Sequence, residues 1–248
     1  MYSETIERAH ELSCELPDEM PVGTEAIPTR FQLFRDDQIS VTYAPFDYIN
    51  RTARILILGI TPGWRQARIA FETAISMRGC ASDTVGVEVK RRAAFAGSMR
   101  QNLISMLDEL GVPGFLGIET TAQMFAERSD LLHSTSALRY PVFKHGANFS
   151  GYDPNPTQHP FLSSMLEHLL VPELAAVPQA LVIPLGGSVE SVLDYLVATE
   201  RLAGARWLRG FPHPSGANGH RKRMFEARKN ELAAAAKRWL GGRNTELP

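Results

Sequence analysis

The apolar positions fall into two periods. From Arg54 to Ile60 the chain reads R-I-L-I-L-G-I, a short branched run with no polar alternation, ending in Thr61-Pro62-Gly63. Continuous apolarity of that length predicts a parallel strand buried on both faces. Leu131–Leu138 and Ala180–Leu185 predict two more strands, and shorter ones are expected near Ile39–Tyr43 and Leu208–Phe211. Between them the period changes to that of helices. Leu103, Met106, Leu107 and Leu110 form one stripe, with Ser98 as the expected N-cap and Gly111 as the stop. Phe161 to Leu170 forms a second stripe, Val189 to Leu196 a third, and an Arg- and Ala-rich segment from about Arg221 to Leu240 a fourth. Ile6, Ala9, Leu12 and Leu16 predict a short acidic helix at the start.

Strands alternating with helices imply an α/β layer architecture with a mostly parallel sheet. In such sheets ligands bind beyond the C-terminal ends of the strands. That rule selects the loops after Ile60, Ser136, Leu185 and Phe211. The expected organisation is an N-terminal acidic helix and irregular segment over residues 1–50, packed on one globular α/β domain over 51–240.

Composition narrows the class. The 248 residues carry 26 Lys+Arg and 27 Asp+Glu, and 44% are hydrophobic. One sizeable core needs no staples at this length. Two cysteines, Cys14 and Cys80, make neither a disulfide framework nor a four-thiolate cluster. The histidines show no zinc spacing, so no metal and no cofactor is expected. No apolar run approaches the roughly 20 residues of a membrane helix, and the acidic start lacks the regions of a signal peptide. A cytoplasmic monomer is the resulting expectation. The neutral total conceals a polarised chain: residues 201–248 hold 11 Lys+Arg against 3 Asp+Glu, whereas residues 1–50 hold 3 against 10.

Two loops carry unusual sequence. Gly59-Ile60-Thr61-Pro62-Gly63 is a tight turn that lets backbone approach a ligand. It is neither a dinucleotide fingerprint nor a P-loop. Phe211-Pro212-His213-Pro214-Ser215-Gly216-Ala217-Asn218 holds a histidine between two prolines, in a backbone that resists a central ladder. Rigid placement just past a strand makes His213 a candidate site residue.

In this order the two loops resemble the first and second motifs of the uracil-DNA glycosylase superfamily. Ala94–Leu103 is similar to that family's Phe-containing segment, and the stretch from His159 to Gly186 to the one ending in its buried strand. The resemblance covers residues 50 to 235. It implies a three-layer α/β/α sandwich around a mostly parallel four-stranded sheet. It also implies hydrolysis of the N-glycosidic bond of a flipped base by a monofunctional enzyme, leaving an abasic site. The catalytic residues implied are His213, as donor to the departing base, and Thr61, as the group that orients water. The base would be held by Phe95, Ser134, Thr135, Gly59, Ile60, Pro62 and Gly63. DNA would be met by Ser215, Gly216, Asn218, Arg221, Arg223 and Arg209.

The chain departs from the family at four places. Thr61 stands where one branch has Asn, and Ile60 where another has a carboxylate. Ser134 or Thr135 stands where an Asn commonly reads uracil, which opens the substrate to other bases, including a modified cytosine in foreign DNA. Residues 64–93 intervene as an insertion with a helix and the basic run Lys90-Arg91-Arg92. Where the family usually has a bulky apolar wedge this chain offers Ala217 and Asn218, so the wedge is weak or lies elsewhere. A catalytically inactive protein of this fold that binds altered DNA is the alternative, and a small-nucleotide hydrolase a third reading. Repair of cellular DNA and defence against modified phage DNA are both compatible with the sequence.

Overall fold

The computed structural model describes residues 4, 5, 9, 12, 16, 17, 23–203, 207–216 and 218–241. Cys14, His10, Ile6, Arg206 and Ala217 lie outside the described residues. In chain order the elements are β1 (Gln32–Arg35), β2 (Ile39–Thr42), β3 (Ile55–Gly59), α1 (Trp64–Ser76), α2 (Ser82–Ala93), α3 (Ser98–Glu109) and α4 (Val112–Leu116). Then come β4 (Leu132–Ser136), β5 (Val142–Lys144), β6 (Ala147–Asn148), α5 (Pro160–Met165), α6 (Val171–Ala175), β7 (Leu181–Pro184), α7 (Gly187–Ala198) and α8 (Arg221–Gly241). The chain divides into two compact units. Unit 1 comprises residues 1–49, 59–94 and 135–176; unit 2 comprises 50–58, 95–134 and 177–248.

Strands and helices mix as the sequence implies, but in two sheets. One has three strands in the order β4-β3-β7. β3 and β7 run parallel, with Ile55 to Leu58 opposite Leu181 to Pro184. On the other edge Arg54 N–H donates to Leu131 C=O and Ala137 N–H to Gly59 C=O, so the partners rise together, as parallel strands require. Every residue of β3 is buried. The expected strand at Leu208–Phe211 does not form. An isolated parallel bridge pairs Val182 with Trp207 instead. Gly210 turns left-handed at φ +76° and Pro212 has no N–H, which stops a ladder there.

The second sheet is antiparallel, in the order β1-β2-β5-β6, and only β2 was expected from the sequence. Its other strands are two to four residues long and mostly half-buried or exposed, so they lack an apolar run.

The expected helix at Phe161 extends from Pro160 to Ala175 through a π-helical segment at Leu166–Leu170. Pro172 has no N–H to give the carbonyl of His168, so the regular bond of an α-helix fails there. Gly97, not Ser98, caps α3. In unit 2, α7 and α8 both meet β7, and α4 meets α3 and α8. Val189, Val192, Leu193 and Leu196 of α7 are buried, as their spacing predicts.

The insertion is a helical hairpin in unit 1. Ala67, Ala70, Phe71 and Ala74 of α1 bury one face with Val89 and Ala93 of α2 and with Ala44 and Phe46. The basic run is not one solvated face. Lys90 is buried, while Arg91 and Arg92 pair with Glu88. A glycine sits mid-helix at Gly86, at a propensity cost of about 1 kcal/mol. A Cβ there would stand 2.5 Å from the Tyr48 Cβ. Gly86→Ala should therefore destabilise the protein by about 1–3 kcal/mol despite its better helix propensity. Chemical unfolding would measure this, and a gain in stability would refute the packing argument.

Candidate active site

The first motif lies in unit 1. Beyond β3 the ladder continues, with Leu138 N–H donating to Ile60 C=O at 2.9 Å. The Thr61 hydroxyl donates to Tyr140 C=O at 3.1 Å and accepts from Val142 N–H at 3.1 Å. Its proton is thus committed to backbone, and one lone pair remains for another donor. Pro62 is buried. Gly63 caps α1 and gives its N–H to Gln66 Oε1, while Trp64 N–H donates to Asn148 Oδ1 at 2.8 Å. A Cβ at Gly63 would meet the Asn148 amide at 3.2–3.3 Å, so glycine there lets the capping amide sit close. The sequence pointed to neither Gln66 nor Asn148.

The residues expected to read the base are both buried. Ser134 is 5% exposed and Thr135 is 6% exposed. Thr135 Oγ1 has no hydrogen-bond partner. An unpaired buried hydroxyl is costly and uncommon, so each such group calls for a reason. His133, on the same strand, is buried and accepts from Asn50 N–H through Nδ1 at 3.4 Å.

The second motif lies in unit 2, and its carbonyls are met one after another. Asn218 Nδ2 donates to His213 C=O at 3.2 Å. Asn102 Nδ2, from α3, donates to Pro214 C=O at 2.9 Å. Arg221 Nη1, at the start of α8, donates to Pro214 C=O at 3.3 Å and to Ser215 C=O at 2.8 Å. Gly186, at φ +90°, gives its N–H to Phe211 C=O, and a Cβ on it would stand 3.0 Å from the His213 Cβ. Three elements therefore hold this loop. Asn102 and Gly186 were not legible as site residues, because an Asn on a helix and a Gly after a strand carry no local signal of what they touch.

The brace sets the chemistry of His213. Ser215 N–H donates to His213 Nδ1 at 3.2 Å, which makes Nδ1 the acceptor and leaves the proton on Nε2. Burial pushes the imidazole below its ordinary value of 6.5. The ring is thus a neutral donor through Nε2–H.

The remaining expected residues differ in their surroundings. Phe95 is 6% exposed and left-handed at φ +52°, an uncommon conformation for a bulky residue. Such strain costs on the order of 1–3 kcal/mol and collects at functional positions. Arg209 makes two bonds to Asp194, the shorter 2.6 Å, and lies 4.5 Å from the Trp207 ring centroid. Arg223 and Gly216 are exposed. Arg221 and Asn218 brace the loop from within. Among the described residues no group of His, Cys, Asp or Glu could hold a metal ion, and no helix is long and apolar enough to cross a membrane.

Fold and loop together define a mixed α/β protein with a neutral, braced histidine within its second motif. No family model matches the chain. The uncharacterized protein YoxB of Bacillus subtilis (strain 168) is 39% identical over 233 residues, covering 92% of this chain and 89% of that protein. The chain belongs to the same family as YoxB.

The half-buried neutral histidine has a consequence for stability. Its folded pKa lies below the unfolded value of 6.5. The unfolded chain therefore binds more protons on acidification, and stability falls as the pH falls. The contribution is complete above about 6.5 and is lost below it. Between pH 7 and 5 the thermal midpoint should drop more steeply for the natural protein than for His213→Gln. Parallel curves would show that the ring titrates as if unburied.

Proposed function

We propose that the protein is a monofunctional DNA glycosylase, hydrolysing the N-glycosidic bond of a flipped uracil-like or modified base. The observation that carries this reading is the His213 ring: half-buried, neutral, with Nδ1 engaged by Ser215 N–H and Nε2–H left to donate. In the reaction the base–sugar bond breaks with its electron pair going to the base nitrogen. His213 Nε2–H stabilises the resulting anion, and a water oxygen bonds the sugar carbon while its proton leaves to solvent. A fixed donor in a dry site is worth about 3 kcal/mol or more. The departing base is the demanding partner, and an oxocarbenium-like sugar asks little of the nucleophile.

Several features support the reading. The unpaired Thr135 hydroxyl would gain a partner from a base edge, and the strained Phe95 would supply the stacking face. The exposed Arg223 at the start of α8 suits a phosphate, and the exposed Gly216 leaves room for close backbone approach. The Val182–Trp207 bridge is consistent with a fourth parallel position in a three-layer α/β/α sandwich. The protein would act as a cytoplasmic monomer on duplex or single-stranded DNA, in repair or in defence against modified phage DNA.

A second reading rests on Thr61. Its hydroxyl proton is held by the Tyr140 carbonyl, which suits a catalytically silent protein that binds altered DNA. One experiment separates the two. DNA carrying uracil, other deaminated bases or modified cytosines is incubated with the protein, and alkali-labile breaks are scored. The glycosylase reading expects breaks with one base, reduced about 10²–10³-fold by His213→Ala. Asn102→Ala should give a smaller loss, through a looser loop. Salt-dependent binding with no product in any case would leave the binding protein as the function. Neither product nor binding would overturn both.

A further inference from the structure

Unit 1 contains a cavity of about 570 Å³ where the α1–α2 hairpin meets residues 43–48. That volume is in the range of small-molecule sites. Its apolar wall includes Pro45, Ala74, Met77, Val85 and Val89. The polar groups are unevenly divided. Two carboxylates, Asp47 and Asp83, face it beside the Tyr48 phenol. Arg78, the lining guanidinium among the described residues, donates to Pro17 C=O at 2.5 Å. The two carboxylates are the anionic acceptors of the wall, beside the Ser82 hydroxyl and the Cys80 thiol.

Asp47 is fixed as an acceptor from behind. The buried Tyr43 hydroxyl donates to Oδ2 at 2.9 Å and the buried Tyr140 hydroxyl to Oδ1 at 2.6 Å. These phenols take two of the roughly four acceptor directions of an ionised carboxylate. Burial and the nearby Asp83 push the Tyr48 phenol up, so it too stays neutral. Tyr48 is seated by the missing side chain of Gly86, whose Cβ would overlap it. The wall is thus built from a mid-helix glycine, two donor phenols and an oriented carboxylate, none of which the proposed glycosylase chemistry uses.

We propose that this cavity is a binding site for a small, planar heterocyclic amine rich in N–H donors, with Asp47 as its principal acceptor and the apolar wall holding the ring. The site rests on unit 1 alone and is independent of the base-cleavage reading. Calorimetric titration of the full chain with 2-aminobenzimidazole tests it against 2-methylbenzoxazole, a bicycle of similar size without N–H donors. The expected result is saturable binding of the amine with a Kd of about 1 mM or tighter, and at least tenfold weaker binding of the oxazole. Asp47→Asn should weaken the amine at least tenfold. Val85→Trp, which fills the cavity and keeps Asp47, should abolish binding even if Asp47→Asn does not fold. Absence of saturable binding to the natural protein, equal binding of the two bicycles, or unchanged binding in Val85→Trp would each overturn the proposal.

Discussion

A backbone strand buried on both faces must find hydrogen-bond partners on both edges, and β3 imposes that constraint on everything around it. All five of its residues are shielded from water, so any unpaired N–H or C=O would cost about as much as a lost buried hydrogen bond. The residue before β3 begins the solution: Arg54 N–H donates to Leu131 C=O and Arg54 C=O accepts from Leu181 N–H. Leu58 C=O accepts from Leu185 N–H and Gly59 C=O from Ala137 N–H. With both edges filled by parallel partners, connections must cross over through helices. The motif loops then emerge where the strands end. The Gly59–Gly63 loop and the turn at Gly186 owe their positions to that ladder.

The same bookkeeping of polar groups governs the histidine loop. A segment with two prolines cannot join a ladder, so the carbonyls of His213, Pro214 and Ser215 need other donors. Asn218, Asn102 and Arg221 supply them. Side chains from α3 and α8 thereby do for an irregular segment what neighbouring strands do for β3. The functional consequence is a ring whose tautomer is set by Ser215 N–H and whose position is set by Gly186. Rigidity there is obtained from hydrogen bonds rather than from regular structure.

What could be read from the sequence follows from range. β3, β7 and α7 were legible because their burial repeats over several consecutive residues, as with Ile55–Leu58 and the Val189–Leu196 stripe. β1, β5 and β6 were not. Each is only two to four residues long, and β5 moreover pairs with β2 about a hundred positions away, as Lys144 with Ile39. At the site, His213 and Gly59–Gly63 stood out because proline and glycine constrain backbone locally. Arg221 stood out as a basic residue in the positively charged end of the chain, and its part in holding two carbonyls was invisible without coordinates. Asn102, Asn148 and the phenols on Asp47 carry no local signature, since each acts on backbone or on a group far along the chain.

The distribution of these long-range contacts bears on how the proposed reaction would divide its labour. Thr61 spends its hydroxyl proton on the Tyr140 carbonyl and receives Val142 N–H, so it fastens one loop to another and retains a single lone pair. That suffices to orient a water by accepting one of its protons, but a hydroxyl of this kind does not take the proton away. His213, in contrast, is held by Ser215 N–H in the tautomer that carries its proton on Nε2. An enzyme built this way would lower its barrier on the leaving-group side and leave the nucleophile almost unassisted. Such a division works only for a reaction in which the base departs well before water arrives. On that argument a base that leaves as a stabilised anion fits the site better than one that must be protonated to depart, because a neutral histidine whose pKa is depressed by burial is a good hydrogen-bond donor and a poor source of a full proton.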